Sequence, residues 1–232
     1  MVTRVPLLGA AACDSVVAGV LAQRPRWVRR GAAEFYTLGA ASYLDDAPAY
    51  EARSTELNRV LLKCFAPLYA HLLDRVGAVL GAPAVMAAGK AVPGFHVWGV
   101  PGIPTGPHAS LHFDLQYLKS VWPDGAPATA ASAMSFTLPL QLPRRGAGLS
   151  LWDVTYERVQ DFCARTSFSG TLDDLLPLFA ERVEPYVRGE LIAHSGHQLH
   201  RIAPVDEVFP DDLRITLQGH GRLIGGAWHL YW

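Results

Sequence analysis

The sequence predicts a mainly β chain with some helix: a jelly-roll barrel braced on one face by N-terminal helices. Two observations lead there. Apolar residues over 50–80 recur at steps of three and four, the spacing of one helical face, whereas after Pro83 the chain turns to short β-branched and aromatic runs broken by turn residues. A length of 232 residues suits one buried core, so 1–82 is read as helical support and 83–232 as the jelly-roll core of a single domain.

In the helical part, Leu57, Val60, Leu61, Cys64, Phe65, Leu68, Leu72, Val76 and Val79 define the face of one long helix. Asp14 is the expected N-cap of a shorter helix through Val16, Val17, Val20 and Leu21, with Pro25 near its end. Expected strands cover 95–100, 111–117, 133–140, 148–154, 188–193, 199–203, 213–219 and 227–231. Pro101-Gly102, Pro123-Asp124-Gly125, Gly146-Ala147-Gly148 and Pro210-Asp211-Asp212 fall between them as breakers, and the Ala-rich stretch 126–133 reads as a loop at the barrel's rim. One helical interruption, 171–180, opens with Thr-Leu-Asp-Asp, the acidic first turn that a helix N-terminus prefers.

Composition narrows the partners. Half of the residues are apolar, 18% are charged, and the formal net charge is −1, so neither nucleic acid nor an anionic membrane is favoured and a small-molecule ligand is expected. Oligomeric state is not legible. Cys13, Cys64 and Cys163 are widely spaced and odd in number, which argues against a disulfide framework or a zinc ribbon and for a reducing cytoplasm. The apolar run 5–12 is too short and too weakly basic at its start to read as a secretion signal, and no run reaches the ~20 apolar residues of a membrane span.

The chemistry centres on His112-Phe113-Asp114, placed on an expected strand where residues two apart share a face. Both side chains then point into the barrel and reach one metal ion. A His-x-Asp triplet alone is weak, because short motifs recur by chance. It gains weight from His200-Arg201-Ile202-Ala203-Pro204, a second histidine at the start of a short strand. Two histidines and one carboxylate make a facial triad, the ligand set of Fe(II) sites that keep open positions for a co-substrate and dioxygen. Zinc sites are richer in Cys or carry His pairs at helical spacing. On the strand after His200, Arg214 and Thr216 share a face and form a two-pronged receptor for a carboxylate.

The order His-x-Asp, then His-x-Ile-x-Pro, then Arg-x-Thr resembles the Fe(II)/2-oxoglutarate-dependent dioxygenase superfamily and its double-stranded β-helix, over residues 95–232. The stretch 136–153 (FTLPLQLPRRGAGLSLWD) is similar to the strand-turn-strand between the two parts of that family's triad. The resemblance implies iron at His112, Asp114 and His200, with the distal carboxylate of 2-oxoglutarate on Arg214 and Thr216. Thr216 stands where many members have Ser, and the interval to Arg214 is longer than in many, leaving room for the 205–212 loop. The implied reaction uses dioxygen and releases succinate and carbon dioxide while oxidising an unactivated C–H bond of a small metabolite, such as an amino acid or a natural-product intermediate. Family members that halogenate lack the carboxylate ligand. Asp114 is present, so hydroxylation, desaturation or ring formation is favoured over halogenation.

Plainer readings stand beside these. His194 and His197 lie close to His200 and compete with it as the distal ligand, although only His200 opens a strand with the His-x-Ile-x-Pro pattern. Gln116 shares the ligand face and, with Tyr117, Trp98 and Trp152, is a candidate substrate contact; Tyr117 and the two tryptophans read equally as core. His96 pairs with Trp98 at i, i+2, either of them a candidate to line the co-substrate cavity or else core, Arg144-Arg145 reads as an exposed turn, and His108, His220 and His229 receive no role. The rivals are a cupin-like metal-dependent isomerase or lyase, which has no need of Arg214, and a jelly-roll binding module without catalysis.

Overall fold

The chain opens with a strand in the computed structural model, which describes residues 2–106, 110–119, 122, 129 and 131–232. Strand β1 (Val2–Pro6) and helix α1 (Ala10–Ala22) take up the first apolar run. Helix α1 starts at Gly9, ahead of the expected cap, and the Asp14 carboxylate pairs with Arg188 instead. Short strands β2 (Val28–Arg29) and β3 (Phe35–Leu38) follow.

The long helix expected over 50–80 is two helices, α2 (Ala47–Cys64) and α3 (Ala66–Leu80). Pro67 explains the break: it has no amide to donate, its ring crowds the preceding turn, and it is tolerated only in a helix's first turn. The buried positions keep steps of three and four across the break, but the stripe is narrower than the sequence suggests. Leu57, Leu61, Phe65, Leu68, Leu72 and Val76 are buried, while Cys64 and Val79, on the same face of a continuous helix, are exposed. Asp46 caps α2 by accepting the Ala49 amide at 2.8 Å, and Gly81 in the left-handed region ends α3.

The remaining strands are β4 (Ala84–Met86), β5 (Gly94–Gly99), β6 (Ala133–Gln141), β7 (Gly148–Thr155), β8 (Glu181–Pro185), β9 (Glu190–His194), β10 (Gln198–Ala203), β11 (Leu213–Ile224) and β12 (Ala227–Tyr231). Helices α4 (Tyr156–Thr166) and α5 (Leu172–Leu175) lie between β7 and β8. Most expected strands are present, with β11 running on to Ile224. Two more expectations need correction. Residues 111–117 form no strand: His112 makes an isolated bridge, and Gln116–Lys119 is a 3-10 turn. The helix expected over 171–180 is only α5 and the 3-10 turn Leu176–Leu178, because Pro177 stops it. Helix α4 and strands β1, β2, β3, β4 and β8 lie where the sequence pattern predicts no such element. The Pro123-Asp124-Gly125 breaker and His108 lie outside the described residues, as does most of the Ala-rich stretch, of which Thr129 and 131–133 are described.

Nine strands form one sheet, ordered β1-β9-β6-β11-β5-β3-β2 with β12 on β11 and β4 on β12; β10-β7-β8 form a second sheet. Pairing is antiparallel except between β12 and β4. The ladders do not join the two sheets into a closed barrel. A hydrophobic cluster unites Cys13 and Val20 of α1, Leu61 of α2, and Leu68, Leu72 and Val76 of α3 with Phe95, Leu138, Ile215 and Leu217 of the large sheet. Because side chains alternate along a strand, the opposite face of the large sheet carries Thr216, Gln218 and His220 of β11, Ser135 and Thr137 of β6, and His96 and Trp98 of β5. Most of these, with His200, Ile202 and Leu149 of the small sheet, line one cavity.

Candidate metal centre and its cavity

The segment bearing His112 and Asp114 keeps strand-like spacing without being a strand. His112 and His200 exchange backbone hydrogen bonds at 3.0 and 3.1 Å, and the Asp114 amide donates to the Gly196 carbonyl at 2.8 Å. The segment therefore lies antiparallel to the 196–200 turn and strand, so His112 and Asp114 still share a side. No side chain fits at Gly196: a Cβ there would sit 2.6 Å from the Asp114 carbonyl oxygen.

One ligand atom each from His112, Asp114 and His200 falls within 4.8 Å of the others. The His200 Nε2 is 3.1 Å and the His112 Nε2 is 3.7 Å from the Asp114 carboxylate. Each imidazole donates its Nδ1–H to a backbone carbonyl, His112 to Ser110 at 2.7 Å and His200 to Gln198 at 2.8 Å. That fixes the tautomer and leaves both Nε2 lone pairs facing the carboxylate, the arrangement a metal requires of histidine. Gln116 donates its amide to Asp114 Oδ1 at 2.9 Å and orients it.

The electrostatics favour a cation. Burial would raise the Asp114 carboxyl, but the His200 and His220 imidazoles near it hold it well below the usual carboxylate range. Burial works against a charged His200 too, yet Asp114 beside it raises its pKa. His194 is different: burial, with His200 nearby, pushes it down to about 3, and its Nδ1 bonds the Ser195 carbonyl at 2.9 Å. It lines the cavity beside His200, with ring centroids 4.4 Å apart, but stands outside the three-ligand cluster. His197 is buried between Glu157 and the Tyr117 hydroxyl, the latter at 2.9 Å.

The cavity holds about 460 Å³, within the usual range for small-molecule sites. Beyond its rim, the large sheet buries Arg214 to 1% exposure. Its Nε, Nη1 and Nη2 have no hydrogen-bond partner, and the Tyr186 ring lies 5.6 Å from the guanidinium carbon. Burial lowers its pKa, with Tyr186 opposing. A buried cation without a partner is costly, so the position calls for an anion.

No family model and no curated protein matches the sequence. Solved structures do. An N-substituted L-amino acid dioxygenase from Burkholderia ambifaria AMMD, in complex with alpha-KG, superposes with a TM-score of 0.59 at 15% identity, covering 100% of this chain and 86% of that one. The chain has the fold of the 2-oxoglutarate-dependent dioxygenases. The alpha-ketoglutarate-dependent epimerase SnoN from nogalamycin biosynthesis gives a TM-score of 0.56 at 12% identity, over 95% of this chain and 80% of that one. The carbocyclase SnoK from the same biosynthesis gives 0.52 at 14%, over 95% and 81%.

Within this dioxygenase fold the sequence-derived residues separate into two groups. His112, Asp114, His200, Gln116 and Trp98 line the cavity. Thr216 is fully buried one pair below Arg214 on β11, its Oγ1 accepting the Gln218 amide at 3.0 Å. Tyr117 does not line the cavity; it packs with Trp122 and Tyr231, and its hydroxyl is engaged by His197. Trp152 likewise lies elsewhere, in the cluster with Val154, Val159 and Leu199, with Arg201 stacked on its ring. Sequence reading missed His220, buried and bonded to Ser135 at 2.9 Å, together with Gln218, Tyr186 and Tyr43. Continuing the alternation from Arg214 and Thr216 along β11 would have found Gln218 and His220. Tyr43 and Tyr186 lie on segments with no periodicity to mark them.

Proposed function

We propose that the chain is an Fe(II)- and 2-oxoglutarate-dependent oxygenase that oxidises an unactivated C–H bond of a small molecule, with the two sheets as the halves of a double-stranded β-helix. One observation carries it: a two-histidine, one-carboxylate cluster opens on a cavity whose lining residue Tyr186 also faces a buried, unpaired guanidinium, that of Arg214. A cupin-like isomerase or lyase would use the metal cluster but gives no reason to maintain Arg214 at that cost.

His112, Asp114 and His200 would hold the iron on one side and leave its other positions towards the cavity. Arg214 and Thr216 would take the distal carboxylate of 2-oxoglutarate. When bound, iron and 2-oxoglutarate supply the oxidant from dioxygen, releasing succinate and carbon dioxide. The chain's own part is orientation and exclusion of water. The Ser110 and Gln198 carbonyls fix the two imidazoles, Gln116 fixes Asp114, and the aromatic wall of Phe35, Trp98, Phe113 and Trp232 positions substrate. The retained Asp114 supports oxidation without halide transfer.

The test is anaerobic addition of Fe(II) and 2-oxoglutarate. A weak visible charge-transfer band is expected in the wild type and its loss in Arg214→Ala; an absent band, or one unchanged in the variant, would count against the proposal. Succinate release with candidate substrates follows.

A further inference from the structure

Among the described residues that line the cavity, Asp114 is the only one with a fixed charge. The rest are aromatic or aliphatic side chains, hydroxyls, the amides of Gln116 and Gln218, and imidazoles. His96 and His220 are both held below the ordinary histidine pKa by burial, which disfavours their charged forms. Charge balance follows from the proposed function, on which this inference rests. A divalent iron and the Arg214 guanidinium together match the Asp114 carboxylate and the paired carboxylates of 2-oxoglutarate. The described part of the loaded site is therefore neutral before substrate arrives, and an ionic group entering it would lose its water without finding a counter-ion among the described residues.

The wall does offer shape and neutral polarity. Phe35 and Trp98 stack with centroids 3.8 Å apart, and Tyr43, His96 and Trp232 form an aromatic angle beside them, Tyr43 hydroxyl to His96 Nε2 at 2.7 Å. The polar side chains of the lining include the Ser110, Ser135 and Thr137 hydroxyls, the Tyr43 phenol and the Gln116 and Gln218 amides. Every one is an uncharged donor or acceptor, suited to a hydroxyl or carbonyl rather than to an ion.

We infer that the part of the substrate entering this cavity is an uncharged ring-bearing group carrying hydroxyl or carbonyl oxygens, and not the ammonium and carboxylate of an amino acid. Substrate selection in this chain then works by excluding ions as much as by recognising the ring.

The experiment uses the full chain loaded with Mn(II) and 2-oxoglutarate, and three probes that share a phenyl ring: phenethyl alcohol, phenylacetate and phenethylamine. Water-proton relaxation first establishes that Mn(II) is bound; if it is not, the oxygenase reading itself fails and this inference with it. With Mn(II) bound, the ring protons of the alcohol should show paramagnetic relaxation at about tenfold lower concentration than those of either ion. Gln218→Glu, which places a carboxylate on the wall, should shift the preference to phenethylamine. Equal relaxation of an ionic probe, or no probe relaxed beyond a free-Mn(II) control, overturns the inference while leaving the metal site standing.

Discussion

His112 and His200 face each other across an isolated antiparallel bridge, with ring centroids 4.4 Å apart. The bridge joins a non-strand segment to β10, so the two imidazoles keep their spacing through a pair of backbone hydrogen bonds. The site's geometry thus depends on a short piece of backbone pairing.

Gly196→Ala should cut metal affinity by about 10–100-fold, the usual cost of disturbing a ligand's support. The new Cβ would collide with the Asp114 carbonyl and displace the carboxylate, while the ladders stay intact. Mn(II) titration checks this, with circular dichroism to show an unchanged fold. Full affinity in the variant would mean that Asp114 tolerates the shift.

Gln116→Leu removes the donor to Asp114 Oδ1 and leaves a cavity of similar size. Metal affinity should fall about tenfold, with thermal stability of the metal-free protein little altered. A fall in stability without a fall in affinity would assign Gln116 to packing.

Arg214→Met should have opposite effects on stability and binding. Replacing a buried, unpartnered guanidinium by an apolar chain of similar length should stabilise the ligand-free protein by about 1–4 kcal/mol. The same change should abolish stabilisation by 2-oxoglutarate, which in the wild type reaches about 2.7 kcal/mol at a hundredfold excess over Kd. Thermal melts with and without 2-oxoglutarate read both effects. A destabilised ligand-free variant would show that Arg214 has structural partners of its own.

The metal-free protein should lose stability as pH falls from 7 to 5. Burial, with Arg214 and Arg30 nearby, holds His96 well below its ordinary value, so the folded state refuses a proton that the unfolded chain accepts below about 6.5. This contribution is complete above the unfolded pKa and declines as pH drops towards the folded one, by up to about 1.4 kcal/mol per pH unit. His96→Gln keeps a partner for Tyr43 and should flatten the slope in urea titrations. Because His194 and His220 are also depressed, some slope should persist. Identical slopes in the two proteins would remove His96 from the account.

Much of the site was legible because period two survives local irregularity. His112 and Asp114 share a side whether their segment is a full strand or a single bridge, and Arg214 and Thr216 share one along β11. The choice of His200 over its neighbours was less secure in sequence. In the fold, His197 is committed to Glu157 and Tyr117, and His194 to Ser195, leaving His200 Nε2 against the carboxylate. Trp152 and Tyr117 show the opposite case: aromatic side chains next to a motif are drawn into separate hydrophobic clusters as readily as into a cavity.

By itself, then, the sequence determined the β-rich class, most of the later strands and the residues able to bind a metal, because alternation and donor chemistry are local properties. Only the tertiary structure decided that one long helical pattern is two helices, that β1 pairs with β9 far along the chain and β8 returns to β7 across two helices, and that Tyr43, Tyr186, Gln218 and His220 belong to the cavity. Those outcomes depend on which surfaces meet across the chain. Meeting is settled by packing and by the partners each buried polar group finds, and neither is written in the spacing of neighbouring residues.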